Sequence, residues 1–173
     1  GREMTVGVLN QSTGLAFGSD LSTRLTALLP AGISLTSKVQ KMALPPGYTA
    51  SVLFAWGDPI SNGPAFKPDA SNSAAEQALQ AGMHHDGMHF FPLPMGSDRA
   101  DHGLLAINHE YLDQRLLYPD AMQTWNLEKL QKAQNAVGVS IIEVARRKSG
   151  WEVVRPSGYA RRITAQTPMT IAG

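Results

Sequence analysis

The 173-residue sequence predicts a mostly β fold, with antiparallel strands and a few short helices. Two observations carry this. The apolar runs are strand-sized and are bounded by Gly, Pro, Asn and Asp clusters, and they follow one another closely enough to pair as hairpins. Only a few stretches, all short, repeat apolar residues at helical spacing. Successive short hairpins suit a sandwich, a barrel or the blades of a propeller, and no internal repeat chooses among them.

Taken in order, "SDLSTRLTALLPAG" offers a Ser or Asp cap and a brief apolar period that Pro30 and Gly32 stop, which predicts a short helix. A double proline and Gly47 then lead into an aromatic and aliphatic stretch, 48–56, that Gly57-Asp58-Pro59 ends; it reads as a strand. Residues 57–72 are dense in Gly, Pro, Asn and Asp and form a long surface loop. Ser73 followed by Glu76 is a capping box for a short helix that Gly82 terminates. "MHFFPL" and "GLLAINHEY", joined by the polar "PMGSDRADHG", form a hairpin. "NLEKLQKAQNAVG" is a helix ended by Gly138. "VSIIEVARR" and "GWEVVRP" are two strands about Lys148-Ser149-Gly150, and the tail holds one more strand.

Composition excludes several classes of function. A net charge of +1 gives no electrostatic basis for binding nucleic acid or an anionic membrane. No apolar run is long enough to span a bilayer. The absence of cysteine removes disulfides, thiolate metal ligands and a cysteine nucleophile. The spacings GxxxxGK[ST] and GxSxG are also absent.

The histidines point to positive chemistry. All five lie between residues 84 and 109. In "HHDGMH" imidazole and carboxylate donors alternate with glycine, which suits a metal ion, although no HExxH motif is present. His84 and His85 read as loop residues and His89 as a strand-face residue. Asp86 is costly to bury unpaired, so it is solvated, ion-paired or bound to a cation. In "INHEY" the strand alternation puts Asn108 and Glu110 on one face and His109 on the other. An amide oxygen beside a carboxylate suits a hard cation. Glu143 interrupts an apolar strand. The pairs Arg146-Arg147 and Arg161-Arg162 could grip a phosphate or an acidic neighbour.

The ordered segments "GYTASVLFAWGDPI", "AGMHHDGMHFFPL", "GLLAINHEYLD", "AVGVSIIEV" and "WEVVRPSGYARRITAQTPM" resemble the amino-terminal part of the PhoX-type bacterial alkaline phosphatase family, over roughly residues 35–173. "NHEY" is the most specific piece. The resemblance implies a large β-propeller, exported by the twin-arginine route to the periplasm or beyond, that hydrolyses phosphate monoesters through an oxide or hydroxide held by iron and calcium ions. Residues 1–42 would then be a lead-in and 43–173 the first blades of a ring that is longer in the family. Partners would be the remaining blades, or other copies meeting at exposed strand edges, together with the phosphate ester. By the same resemblance Glu110, Asp86 and Asn108 are metal donors, with His109 beside them. Asp86 and His89 sit at the active-site strand, and Arg161 or Arg162 approaches the substrate phosphate. Some members supply a cysteine to iron and these 173 residues contain none, a departure that leaves the donor set, and the identity of the metal, open. A competing reading is a noncatalytic propeller-like module binding a structural cation or a protein partner. A third is a small zinc or iron enzyme built on the histidines alone.

Overall fold

The computed structural model describes residues 51–172. The short helix in "SDLSTRLTALLPAG", the first part of the strand at 48–56 and the boundary at residue 42 lie outside the described residues. In chain order the elements are helix α1 (Ala74–Gln77), strands β1 (His85–Pro92) and β2 (His102–His109), helices α2 (Gln114–Leu117) and α3 (Leu127–Ala136), then β3 (Gly138–Arg147), β4 (Gly150–Val153) and β5 (Arg161–Ile163). The strands form one open five-stranded antiparallel sheet, β1-β2-β3-β4, with β5 pairing on β3 beside β4.

The register explains which face is buried. Leu105 pairs with Ile142, Ile107 with Ser140 and Gly103 with Val144, so these residues share one face. Ile107, Ile142 and Val144 are buried there against Phe54, Ile60 and Ala81, with Phe90, Leu105 and Trp151 packed at the margin. A second apolar cluster, around Trp56, Met83, Leu117, Tyr118, Ala133 and Ala136, joins α2 and α3 to the loop that precedes β1. The opposite face carries His89, Ala106, Asn108, Val139, Ile141 and Glu143, by the same alternation, and is half-buried to exposed.

Local signals in the sequence account for most ends. Ser73 Oγ accepts from the Glu76 N–H at 3.1 Å while the Glu76 carboxylate accepts from the Ser73 N–H at 2.7 Å, so the capping box is complete. Asn126 caps α3 by accepting from the Lys129 N–H at 2.9 Å. Gly138 has φ +111°, a conformation only glycine adopts without strain, and this lets the chain leave α3 directly into β3.

Four expectations are corrected. Over 51–56 the apolar stretch forms no strand of the sheet. Phe54, Ala55 and Trp56 are buried as packing side chains, while the backbone turns at once: the Asp58 carboxylate accepts from the Ala55 N–H at 2.9 Å. The helix at 73–82 stops after Gln77, because Gln80 is drawn into a bridge with Pro59 and its side chain donates to the Pro64 carbonyl at 3.0 Å. His85, expected in a loop, is the first residue of β1. The stretch "YLDQRLLYPD", which reads as turns and packing, holds the single-turn helix α2, capped by Asp113. Among the described residues no helix is long and apolar enough to cross a membrane.

Candidate functional site

The candidate donors gather at one end of the β1–β2 pair. His85 pairs with His109 and Met88 with Ile107, so the register shifts between them and the two residues Asp86 and Gly87 oppose the single residue Asn108. This is a β-bulge, a device that re-aims side chains and recurs beside active sites. The Glu110 N–H donates to the His84 carbonyl at 3.1 Å, which carries the pairing one step past the end of β2. Asp86, Asn108 and Glu110 are thereby held on neighbouring stretches of backbone.

What these side chains do not bind is informative. Among the described carboxylates, only Asp86, Asp98 and Glu110 make no hydrogen bond or ion pair within the described residues. Asp98 lies in the β1–β2 loop, at the other end of the hairpin. Asp86 and Glu110 are exposed, Asn108 is half-buried with its amide unused, and the three supply hard oxygens. Their chemistry therefore fits a cation, and no internal bond has to break for them to bind one. Among the described residues no three His, Asp or Glu side chains are close enough together to hold a metal ion.

The other candidates are spread along the sheet. His89 pairs with Ala106 and lies exposed, its ring 4.5 Å from that of Phe91. Ala106 pairs with Ile141 and Ile141 with Arg161, so His89 and Arg161 share a row on the face of Asn108, about 14 Å apart across three strand spacings. Arg161 is exposed and has no partner among the described residues. Arg162 pairs with Ser140 and turns to the buried face. Its Nη2 donates to the Asn135 carbonyl at 2.6 Å and to the Val137 carbonyl at 3.1 Å, at the C-terminal end of α3, where a cation is favoured by the helix dipole. Burial pulls its pKa down to about 10.

His109 also faces inward, 2 % exposed, with Nε2 hydrogen-bonded to the Ser140 hydroxyl at 2.6 Å. Its ring lies 4.7 Å from that of His85, and His85 Nε2 donates to the Gly82 carbonyl at 3.2 Å. The sequence pattern did not single out Ser140; a lone hydroxyl at a core position of an apolar strand was the available signal. Further along, Glu143 accepts from the Ser157 hydroxyl at 2.5 Å and bonds His102 Nε2 at 2.7 Å. The Ser157 bond, then the His102 bond, hold its carboxyl below the usual range. Its partners are thus His102 and Ser157 rather than an arginine, and the nearby arginine, Arg147, pairs with Glu152 at 2.9 Å.

This open antiparallel sheet, with uncommitted carboxylates at a bulge on its hairpin, corresponds to a known group of phosphatases. The model for alkaline phosphatase PhoX matches residues 31–173, and the chain belongs to that family. Among solved structures it is similar to Pseudomonas fluorescens PhoX in complex with vanadate, described as a transition-state analogue, at 43 % identity and a TM-score of 0.65. That match covers 70 % of this chain and 21 % of the other, so the chain spans about a fifth of its relative's length. No curated protein sequence matches it.

Proposed function

We propose that the chain is a segment of a metal-dependent phosphatase that hydrolyses phosphate monoesters, contributing the first blades of a β-propeller exported to the periplasm or beyond. The observation that carries this reading is the pair of exposed, uncommitted carboxylates, Asp86 and Glu110, on the two backbone stretches paired around the bulge opposite Asn108, in a chain of the PhoX family.

In this reading Asp86, Asn108 and Glu110 hold cations, iron and calcium in the family pattern, and the remaining blades complete the coordination sphere. When bound, the cations supply neutralising charge at the phosphoryl oxygens. The chain's own residues do the positioning. The bulge sets Asp86 and Gly87 opposite Asn108 in the register, and the His84–Glu110 backbone bond extends the pairing to Glu110. His89 presents an exposed imidazole on the same face, able to hydrogen-bond the ester or exchange a proton with it. Arg161, exposed on that face, can offer a fork of N–H donors to phosphate oxygens. Arg162, with one nitrogen already committed to the end of α3, is the weaker of the two arginine candidates.

The test is Glu110→Gln in the intact enzyme, following bound iron and calcium together with hydrolysis of p-nitrophenyl phosphate. Metal content and turnover should fall together; if both persist, Glu110 holds no metal. Calcium bound without any turnover in the unsubstituted protein would instead support a noncatalytic cation-binding module. The 173-residue chain alone should hydrolyse the ester weakly or not at all, and robust turnover would show that its own donors suffice.

A further inference from the structure

Behind the candidate donors, on the buried face, lies a polar group that the proposed reaction does not use. His85 and His109 are direct cross-strand partners, 5 % and 2 % exposed. Each immediately precedes a candidate carboxylate, His85 before Asp86 and His109 before Glu110. Their rings are 4.7 Å apart, and His85 also stacks on Phe54 at 5.7 Å.

Both rings are wedged. The Ser140 hydroxyl bonds His109 Nε2 at 2.6 Å, and on the other side Gly82 leaves no room: a Cβ there would lie 2.5 Å from His109 Cγ and 2.4 Å from the Ala136 carbonyl oxygen. Gly82 in turn accepts the His85 Nε2–H at 3.2 Å. One residue earlier, His84 is buried with φ +48°, a left-handed conformation a histidine holds only where its surroundings impose it, and its carbonyl takes the Glu110 N–H. Each bond and contact of this cluster acts on backbone that leads directly into Asp86 or Glu110.

Ordinary core packing does not require this arrangement. Two neighbouring aliphatic side chains would fill the same space without buried nitrogens to satisfy, and His85 Nδ1 and His109 Nδ1 find no hydrogen-bond partner. An imidazole pair fixed by hydrogen bonds does something aliphatic groups cannot: it sets the direction in which each ring, and so each adjoining backbone segment, points.

We propose that the His85–His109 pair, locked by Ser140 and Gly82, is a positioning device that fixes the spacing and direction of Asp86 and Glu110 without touching the cation. This rests on the reading of Asp86 and Glu110 as donors given above. The pair acts through the two strand ends, and Ser140 reaches it from β3, a strand that carries none of the candidate donors.

The experiment uses the intact enzyme stripped with chelator and titrated calorimetrically with Ca2+ alone, with the melting temperature of the metal-free protein as a second reading. Ser140→Ala leaves all three candidate donors in place and should weaken Ca2+ binding about tenfold or more, as loss of a partner that orients a ligand typically does. Ser140→Thr, which restores a hydroxyl, should recover most of that affinity. His85→Gln keeps a donor for the Gly82 carbonyl but loses the ring contact, and it should weaken binding similarly even if Ser140→Ala fails to fold. A lowered melting temperature with unchanged Ca2+ affinity in these variants would reduce the pair to core packing and overturn the proposal. Glu110→Gln separates the two levels. If it binds Ca2+ as the unsubstituted enzyme does, the donor assignment itself fails; if it loses binding while Ser140→Ala and His85→Gln do not, only the positioning role fails.

Discussion

Acid should unfold this chain in a window set by histidines rather than carboxylates. Burial, reinforced by the positive charge of Arg162, depresses His85 from the ordinary imidazole value of 6.5 to about 4 and His109 to about 2. The folded chain therefore refuses protons that the unfolded chain accepts near 6.5. The associated stability is fully present above that pH and is lost as the pH falls toward the folded values. Each histidine contributes a slope of about 1.4 kcal/mol per pH unit, so the two together give about 2.7 kcal/mol per unit between pH 6 and 4.5. Two units of acidification thus remove about 5 kcal/mol, comparable with the whole stability of a domain at the low end of the typical range of about 5–15 kcal/mol. Carboxylates enter later. Hydrogen bonds from Lys129 and then Thr124 hold Asp120 at about 2, so its stabilising interaction fails only below the ordinary carboxylate value of 3.8. Urea unfolding in excess chelator at pH 7.5, 6.5, 5.5 and 4.5 measures the slope. For a urea dependence of about 1–3 kcal/mol per molar, the midpoint should drop by about 1–3 M per pH unit below 6.5. His85→Phe keeps the stack on Phe54, removes one titrating group and should halve the slope. A midpoint that stays flat from pH 6.5 to 5 would refute the reasoning, because buried neutral imidazoles cannot leave stability independent of pH in that range.

Two further substitutions test the fold beneath the site. Ile142→Ala, at a fully buried position of the sheet core, should cost about 2–5 kcal/mol by urea unfolding at pH 7.5, and a loss under about 1 kcal/mol would mean that this face is not tightly packed. Gly138→Ala places a side chain at φ +111° with its Cβ 2.1 Å from the Ile163 carbonyl oxygen, so it should cost at least about 2 kcal/mol and weaken the β3–β5 pairing, seen as faster amide exchange at Ile163; unchanged exchange would contradict that contact.

Much of this architecture was legible in the sequence where a side chain acts on its own backbone. Ser73 and Glu76 announce α1, Asn126 and Gly138 bound α3, and the β1–β2 and β3–β4 hairpins follow from polar breaks between apolar runs, because each of these signals operates over a few residues. The stretch at 51–56 departs from the expected strand because apolar density reports burial and not backbone pairing: Phe54 is buried in the core, and Trp56 is buried with its indole N–H donating to Gln77 Oε1 at 3.0 Å. The bulge was invisible for a related reason. "HHDGMH" shows which residues are present, but whether Asp86 or Gly87 faces Asn108 depends on the partner strand, and a one-residue slip reverses the face.

The same limit governs the candidate site and shows where its chemistry divides. Donor identity is a local property, so Asp86, Asn108 and Glu110 could be picked out from residue type and strand alternation. Whether a polar side chain is free or already committed is a property of the fold. Arg161 and Arg162 are adjacent and identical in sequence, yet one stands exposed on the face of Asn108 while the other is spent on the carbonyls that end α3. His89 and His109 divide the same way, one exposed on the donor face and one locked behind it by Ser140. Among the described residues the side chains of His89 and Arg161 thus make no hydrogen bond on the face of Asn108, whereas those of His109 and Arg162 are hydrogen-bonded on the buried face. Asp86 and Glu110, exposed and without an ion pair among the described residues, keep the negative charge that a cation would need.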